Sequence, residues 1–337
     1  MLHGLLIGCG YFGQVQLDGW QRVHGGQIVA LCDTDEARLR QAGERFGITA
    51  LYADHREALQ RGELDFADIA TRPDTHLDLT AAAAERGLHV LCQKPLAMTW
   101  DESVAVVRAA AERGVRFMPN ENWRWQPWYR ELKRLLDGDR IGPPHSVWAR
   151  RRAADAYMTP PFPRQPYFTD MERFLLIESV IHLVDAIRFL AGEYEWVSCS
   201  TRRVSGATKA EDSVALILGM RSGCQAVIDC NRCAEEEAEG PAWDMVCLEG
   251  PKGYLRLYPG GEIRHKPLFG PVRDHEYDRP KQGYAGDSCR ATQQHFVDCL
   301  RTGRPFEQDG EQYLQGSVRA VFAAYESAET GCIVRLP

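Results

Sequence analysis

Three side chains in this 337-residue chain have the types and spacing for proton chemistry: Lys94, Glu178 and His182. Lys94 follows an apolar run at 88–92, in Cys92-Gln93-Lys94-Pro95. In an open parallel sheet, ligands bind beyond the carboxyl ends of the strands. A lysine there, with its pKa drawn toward neutrality by a cofactor, is a proton donor. A lysine after a strand is also a common surface residue. Glu178 and His182 stand at i and i+4 in an apolar stretch at 174–185, and Asp185 is at i+7. On a regular helix all three share one face. The remaining residues of that stretch are almost wholly apolar, so the face is buried, and buried ionisable groups need partners or a purpose. Glu178 and His182 can be an acid/base site, a mutually satisfied buried pair, or two ligands of a metal. No third ligand is apparent in the spacing, so the expectation is no metal.

A second group of residues suits a phosphate-bearing cofactor. Gly8-Cys9-Gly10-Tyr11-Phe12-Gly13 is a G-x-G-x-x-G motif between a first apolar run and a helical segment. The first glycine permits the tight turn, the second lets backbone approach a pyrophosphate, and the third lets helix and strand pack closely. The anion then meets free N–H groups at the helix N-terminus. Asp33 lies 20 residues after Gly13, at the end of a second apolar run. Its carboxylate can accept hydrogen bonds from both ribose hydroxyls of NAD and would repel a 2′-phosphate, which favours NAD over NADP. Asp33 can also cap the helix that starts at Asp35. Arg38 can stack on adenine, bind a phosphate, or stand in solvent.

The elements that position these residues follow a strand–helix alternation over the first 120 residues. Apolar runs at 2–8, 27–33, 49–52, 66–71, 88–92 and 115–118 read as strands. Between several of them lie helical segments, of which 76–86 ends at Gly87 and 99–113 opens with Thr99 and Glu102 in a capping-box pattern. Such alternation implies βαβ units and a parallel sheet buried on both faces. Thr71 and His76, after the fourth strand, are expected along the cofactor, as are Gln93 and Asn122.

The second half reads differently. Residues 121–150 hold Trp123, Trp125, Trp128 and Tyr129, then a helix to Asp137 and a turn at Gly142-Pro143-Pro144. A proline- and aromatic-rich loop spans 157–170, and 171–190 reads as a helix. Strand-like runs at 193–203, 211–219, 223–232, 243–249 and 253–258 fit an antiparallel sheet. Helices at 292–300 and 311–327 and a strand near 333–336 complete the chain. Arg124 and Trp125 can border a pocket or simply pack. Tyr157 and Tyr167 offer aromatic faces to a sugar ring or pack a lid. Glu235, Glu236 and Glu237 read as a solvated turn. Cys230 and Cys233 form a C-x-x-C without a second pair or a βαβ setting, so no zinc or redox role is expected.

In this order, the glycine motif, Asp33, Ala70-Thr71-Arg72-Pro73-Asp74-Thr75-His76, Cys92-Gln93-Lys94-Pro95-Leu96-Ala97, Asn122-Trp123-Arg124-Trp125-Gln126-Pro127 and Glu178 with His182 resemble the glucose-fructose oxidoreductase / inositol dehydrogenase / rhizopine catabolism (Gfo/Idh/MocA) family. The resemblance spans essentially the whole chain. It implies an α/β protein: an N-terminal Rossmann domain at 1–120 and a C-terminal α+β substrate and oligomerisation domain at 121–337, with a large, mostly antiparallel open sheet. It further implies hydride transfer between NAD and a sugar, polyol or sugar derivative, and a homodimer or homotetramer formed through that sheet. Lys94 and His182 match the family's catalytic lysine and histidine. Glu178 matches a position that is usually aspartate, one methylene shorter. Gln93 replaces the glutamate that usually precedes the lysine, which removes a negative charge beside Lys94. His182 is then the general acid/base, Lys94 polarises the substrate oxygen, and Glu178 orients the site, with Arg124, Trp125, Tyr157 and Tyr167 as substrate contacts.

Composition limits the alternatives. Forty basic and 47 acidic residues leave a net charge of −7, so no basic surface recruits nucleic acid. No apolar run reaches the ~18 residues of a membrane span, and no leader pattern opens the chain. Eleven scattered cysteines make a poor disulfide framework, which points to reduced thiols and the cytoplasm. Two other functions fit the same motifs: a lyase or glycosidase that oxidises transiently and recycles bound NAD, and a non-enzymatic dinucleotide or ligand sensor. Fold alone does not separate them.

Overall fold

The computed structural model describes residues 1–236 and 240–337. The chain divides into two compact units, residues 1–122 with 282–314 and residues 123–281 with 315–337.

In the first unit, six short strands form a parallel sheet: β1 (Leu2–Ile7), β2 (Gly26–Cys32), β3 (Leu51–Tyr52), β4 (Phe66–Ile69), β5 (His89–Gln93) and β6 (Phe117–Asn120). Their order is β3-β2-β1-β4-β5-β6. This is the doubly wound arrangement, whose strand order reverses at β1 and β4 and leaves a crevice there for a dinucleotide. Helices α1 (Tyr11–Trp20), α2 (Glu36–Phe46), α3 (His55–Ala58), α4 (His76–Glu85) and α5 (Trp100–Ala111) lie along the intervening chain. Thr99 caps α5, its Oγ1 accepting from Glu102 N at 3.3 Å. The Glu102 carboxylate takes the Thr99 hydroxyl proton at 2.9 Å, in place of the backbone N–H of a full capping box.

The second unit begins with α6 (Pro127–Asp137) and β7 (Ser146–Arg152). A five-residue π-helical turn, Leu176–Val180, leads into α7 (Ile181–Ala191). Seven more strands follow: β8 (Tyr194–Arg202), β9 (Ser213–Met220), β10 (Gln225–Asn231), β11 (Asp244–Gly250), β12 (Gly253–Leu257), β13 (Ile263–Pro267) and β14 (Arg273–His275). The strands β7, β13 and β14 were not expected from the sequence. β7 carries Arg150, Arg151 and Arg152, yet it occupies the middle of the sheet. Its arginines are neutralised from elsewhere, by Glu236, Asp244 and Asp229. The reading of Glu236 as a solvated turn residue gives way accordingly, since its carboxylate is buried against Arg150. Glu237 lies outside the described residues.

The chain then returns to the first unit through α8 (Ser288–Thr302) and α9 (Gly310–Tyr313). Phe296, Val297, Cys299 and Phe306 join Leu17, Trp20 and Phe66 in that unit's core. The phenylalanine Phe66 stacks on Trp20 at 5.0 Å and meets Phe296 edge-on at 5.5 Å. Finally α10 (Arg319–Thr330) and β15 (Val334–Arg335) complete the second unit. Its nine-stranded sheet has the order β14-β13-β12-β11-β7-β10-β9-β8-β15 and is antiparallel except for the β7–β10 pair.

Candidate active site

The glycine motif forms the turn from β1 into α1. Gly8 has φ +101°, and a Cβ there would lie 2.7 Å from the Ala70 carbonyl oxygen. A Cβ on Gly13 would lie 1.9 Å from the Gly8 carbonyl oxygen, so only glycine lets the helix come this close. Gly10, the N-cap of α1, is the opposite case. No atom stands within 4 Å of where its Cβ would be, so the helix N-terminus is open to approach. The neighbouring Tyr11 is exposed, and Phe12 meets Tyr284 edge-on at 5.5 Å. Tyr284 comes from the returning segment, and nothing near the motif in sequence announces it.

Asp33 closes this end of β2. Its Oδ2 accepts from Cys9 N at 2.7 Å and its Oδ1 from Asp35 N at 2.8 Å. The helix cap is Asp35, which accepts from Arg38 N at 3.0 Å, so Asp33 does not cap α2. The half-exposed Arg38 reaches Asp35 at 3.1 Å and Asp33 at 3.7 Å. A glycine cradle, an open helix N-terminus and a fixed carboxylate one strand away fit the pyrophosphate and ribose of NAD.

Lys94 leaves the end of β5, and its N–H donates to the Gln93 side-chain oxygen at 2.8 Å. The Gln93 Nε2 is buried and has no partner among the described residues. Across the β5–β6 register stands Asn120, fully buried with neither amide atom partnered among the described residues. Asn122 donates from Nδ2 to Ser288 Oγ at 2.8 Å, and its Oδ1 has no partner among the described residues. Orphaned polar atoms gathered at the carboxyl end of two strands call for a ligand or ordered water. His76 follows β4 and is placed by two backbone carbonyls. Its side chain is wholly buried, with Nδ1 3.1 Å from the Leu96 carbonyl and Nε2 3.2 Å from the Thr71 carbonyl. Burial pushes its pKa down, and a neutral ring donates to one of these carbonyls at a time. It ties the loop after β4 to the loop after β5. Thr71 also takes part through its hydroxyl, 2.7 Å from that of Thr75.

In the second unit, Glu178 and His182 lie on the predicted helix, but Glu178 falls within the π-helical turn. Such turns recur at functional sites. The start of this helix is held from a distance. Glu211 accepts from Phe174 N at 3.3 Å and Leu176 N at 3.0 Å, and the Tyr325 hydroxyl donates to it at 2.8 Å. His182 is 5% exposed and stacks on Trp123, with ring centroids 4.1 Å apart. The Trp123 indole N–H donates to Asp244 at 2.7 Å, and the Tyr129 hydroxyl donates to the same carboxylate at 2.9 Å. Arg151 stands 3.7 Å from Asp244 and 4.9 Å from the Trp123 ring centroid. Burial pushes the Asp244 carboxyl up, and these donors oppose that shift.

Asp185 serves a different purpose. Its carboxylate takes a two-point ion pair from Arg124, at 2.7 and 2.8 Å, and a hydroxyl from Ser317 at 2.7 Å. Arg124 is thus a buried partner of the helix. Trp125 carries Arg130 on its ring at 4.7 Å. Tyr167 packs edge-on against Phe168 at 4.8 Å, and its hydroxyl accepts from Gln165 at 3.1 Å. Tyr157 is exposed and, with Met158, Cys233 and Glu235, lines an open cavity of about 460 Å³. Cys230 is fully buried in β10, its thiol pushed up to about 12 by burial. Among the described residues no three His, Cys, Asp or Glu side chains converge as metal ligands. None of their helices is long and apolar enough to cross a membrane.

Comparison with known proteins bears on both units. The model of the oxidoreductase family with an NAD-binding Rossmann fold matches residues 2–121, and that of the GFO/IDH/MocA C-terminal domain matches residues 129–256. The chain is 36% identical to a D-apiose dehydrogenase of Paraburkholderia graminis, over 99% of this chain and 89% of that protein. It is 32% identical to a D-apiose dehydrogenase of Rhizobium rhizogenes, over 98% and 96%. A solved oxidoreductase from Agrobacterium radiobacter, in complex with NAD+, L-tartaric acid and magnesium, superposes with a TM-score of 0.92 at 31% identity, covering 99% of this chain and 98% of that one. The chain is therefore an oxidoreductase of the Gfo/Idh/MocA family, with that family's NAD-binding Rossmann fold.

Proposed function

We propose that this enzyme is an NAD-dependent dehydrogenase that moves a hydride between nicotinamide and a carbinol or keto carbon of a sugar, polyol or sugar derivative. The observation that carries this reading is His182, held face to face on Trp123 on a buried helix that also bears Glu178. The likeness to two D-apiose dehydrogenases makes D-apiose the first substrate to try.

His182 takes the proton of the substrate hydroxyl on a ring nitrogen in oxidation and returns it in reduction. Imidazole suits both directions because its proton affinity lies near neutrality in water. The Lys94 ammonium polarises the substrate oxygen and stabilises its developing negative charge. The neutral Gln93 leaves that ammonium without a carboxylate from the preceding residue. Glu178 accepts a hydrogen bond from substrate and orients it. Nicotinamide, when bound, supplies the hydride acceptor or donor. Gly8, Gly10, Tyr11, Phe12 and Gly13 hold the pyrophosphate region, Asp33 accepts from the adenosine ribose and selects NAD over NADP, and Arg38, Thr71, Gln93 and Asn122 flank the cofactor. Trp125, Tyr157 and Tyr167 contribute aromatic surface for the sugar. Residues 1–120 serve the cofactor, and residues 121–337 serve substrate binding and assembly, with 282–314 adding to the cofactor unit. The chain works in the cytoplasm as a homodimer or homotetramer joined through its nine-stranded sheet.

A panel of sugars and polyols, D-apiose included, tests this with NAD and NADP in parallel and NADH absorbance as the readout. NADH formation that is faster with NAD is the expected result. Substrate cleavage without net NADH would instead mark a lyase or glycosidase. Binding of NAD and sugar without turnover would mark a sensor.

A further inference from the structure

Arg232, directly after β10, is a cation held inside an aromatic cage. Its guanidinium lies 5.6, 5.5 and 5.7 Å from the ring centroids of Phe162, Phe168 and Phe174. Only 8% of the residue is exposed. A charge so buried needs charged or polar partners with good geometry. Asp155 supplies one, accepting at Oδ1 from Arg232 Nε at 2.7 Å and at Oδ2 from a terminal nitrogen. The other terminal nitrogen donates to Ser179 Oγ at 3.1 Å. The Ser179 hydroxyl in turn donates to Glu178 Oε2 at 2.5 Å.

A hydroxyl has one proton. Accepting from a guanidinium and donating to a carboxylate fixes the direction of that proton, and each bond polarises the other. Glutamate has several rotatable bonds, so ordering its side chain costs conformational entropy. The chain of contacts supplies that order at the residue that faces substrate in the proposed mechanism. It also reaches the edge of the proline-rich segment, because Asp155 and Ala156 immediately precede it and Ala156 N donates to the Arg232 carbonyl at 3.4 Å.

We propose that Ser179 and Arg232 are positioning residues for Glu178, with Asp155 holding the guanidinium in place. This rests on the reading of Glu178 as a substrate-orienting group. Nothing in the spacing of these residues suggests it, since 53 residues separate Ser179 from Arg232.

The test compares Ser179→Ala, Arg232→Lys, Glu178→Ala and the double variant Ser179→Ala/Glu178→Ala in the full-length enzyme. Ser179→Ala keeps the Arg232–Asp155 pair and the aromatic cage. It is expected to lower kcat/KM for the sugar by about 10- to 100-fold, as a displaced contact does, while the dissociation constant for NAD stays unchanged. Arg232→Lys, which cannot serve Asp155 and Ser179 together, is expected to show the same pattern. In the Glu178→Ala background, Ser179→Ala is expected to add almost nothing, because both changes remove one interaction. Multiplicative losses would mean that Ser179 has only a structural role and would overturn the proposal, as would wild-type kinetics in Ser179→Ala. Should the wild-type enzyme oxidise no sugar or polyol, the functional reading fails first. The crystal structure of Ser179→Ala then decides the positioning claim alone: a reoriented Glu178 carboxylate supports it, and an unmoved one refutes it.

Discussion

The imidazole of His182 lies face to face on the indole of Trp123, with centroids 4.1 Å apart and planes 18° from parallel. The indole is itself aimed by its N–H bond to the buried Asp244. The ring on which the histidine stacks is therefore fixed by a buried carboxylate. Trp123→Phe keeps an aromatic face but removes the bond and leaves Asp244 with one donor fewer. The expected cost in stability is about 1–3 kcal/mol, measured by denaturant unfolding. The turnover number is expected to fall about 10- to 100-fold as the imidazole loses its alignment, with NAD affinity unaffected. A Trp123→Phe enzyme with unaltered turnover would remove Trp123 from the catalytic apparatus.

His182 itself is the stronger test of the mechanism. Removing a general acid/base costs about 10²- to 10⁴-fold in rate. His182→Ala is expected to lose turnover on that scale while still binding NAD, since the glycine motif and Asp33 belong to the other unit. Initial rates from NADH absorbance, paired with calorimetric titration of NAD, separate the two effects. Near-normal turnover with tight NAD binding would shift the proton chemistry to another group.

Cofactor choice is predicted to follow Asp33. Both of its oxygens are anchored by backbone N–H groups, from Cys9 and Asp35, so the carboxylate is held in place before any ligand arrives. Asp33→Ser shortens the side chain, removes the charge and leaves one hydroxyl. A hydrogen bond to a charged group contributes about 1.5–3 kcal/mol, so the KM for NAD is expected to rise by about tenfold or more. The ratio of kcat/KM for NADP over NAD should rise at the same time. An unchanged ratio would mean that discrimination lies elsewhere.

These residues were not equally legible in the sequence. The Rossmann half is written in local signals: a strand, glycines at fixed spacing, an acid at the next strand end, caps within three residues of their helices. Lys94 could be found the same way. The second unit depends on contacts that sequence spacing does not display. Trp123 and Asp244 are 121 residues apart, and Glu211 caps a helix from 37 residues away. The strand β7 stayed hidden because three consecutive arginines are not a buried-strand pattern, and the carboxylates that pair with them, Glu236, Asp244 and Asp229, lie far away in the sequence. Counting Glu178 and His182 as i and i+4 assumed 3.6 residues per turn, whereas Glu178 lies in a π-helical turn with a wider period. Asp185, counted on the same face, belongs to Arg124 instead.

Asp68 carries a prediction about pH and stability. It sits on β4 with no exposed surface; its Oδ2 accepts from the Trp20 indole at 2.7 Å, and its Oδ1 has no partner among the described residues. Burial raises its pKa from 3.8 to about 7, only partly opposed by the Trp20 bond. Between those two values the folded protein holds a proton that the unfolded chain releases, so stability falls as pH rises from about 4 to about 7. Above that window the folded state carries a buried carboxylate, at a cost on the order of 4 kcal/mol relative to acid conditions. Asp68→Asn keeps the shape and an acceptor for Trp20 but cannot ionise. Its melting temperature is expected to exceed that of the wild type at pH 8. At pH 5, where Asp68 is largely protonated in the folded state, the two should converge or reverse. Melting curves across this range, taken as the difference between variant and wild type, isolate the one group from all others that titrate. A difference that does not change with pH would show that Asp68 is ionised, or neutral, throughout.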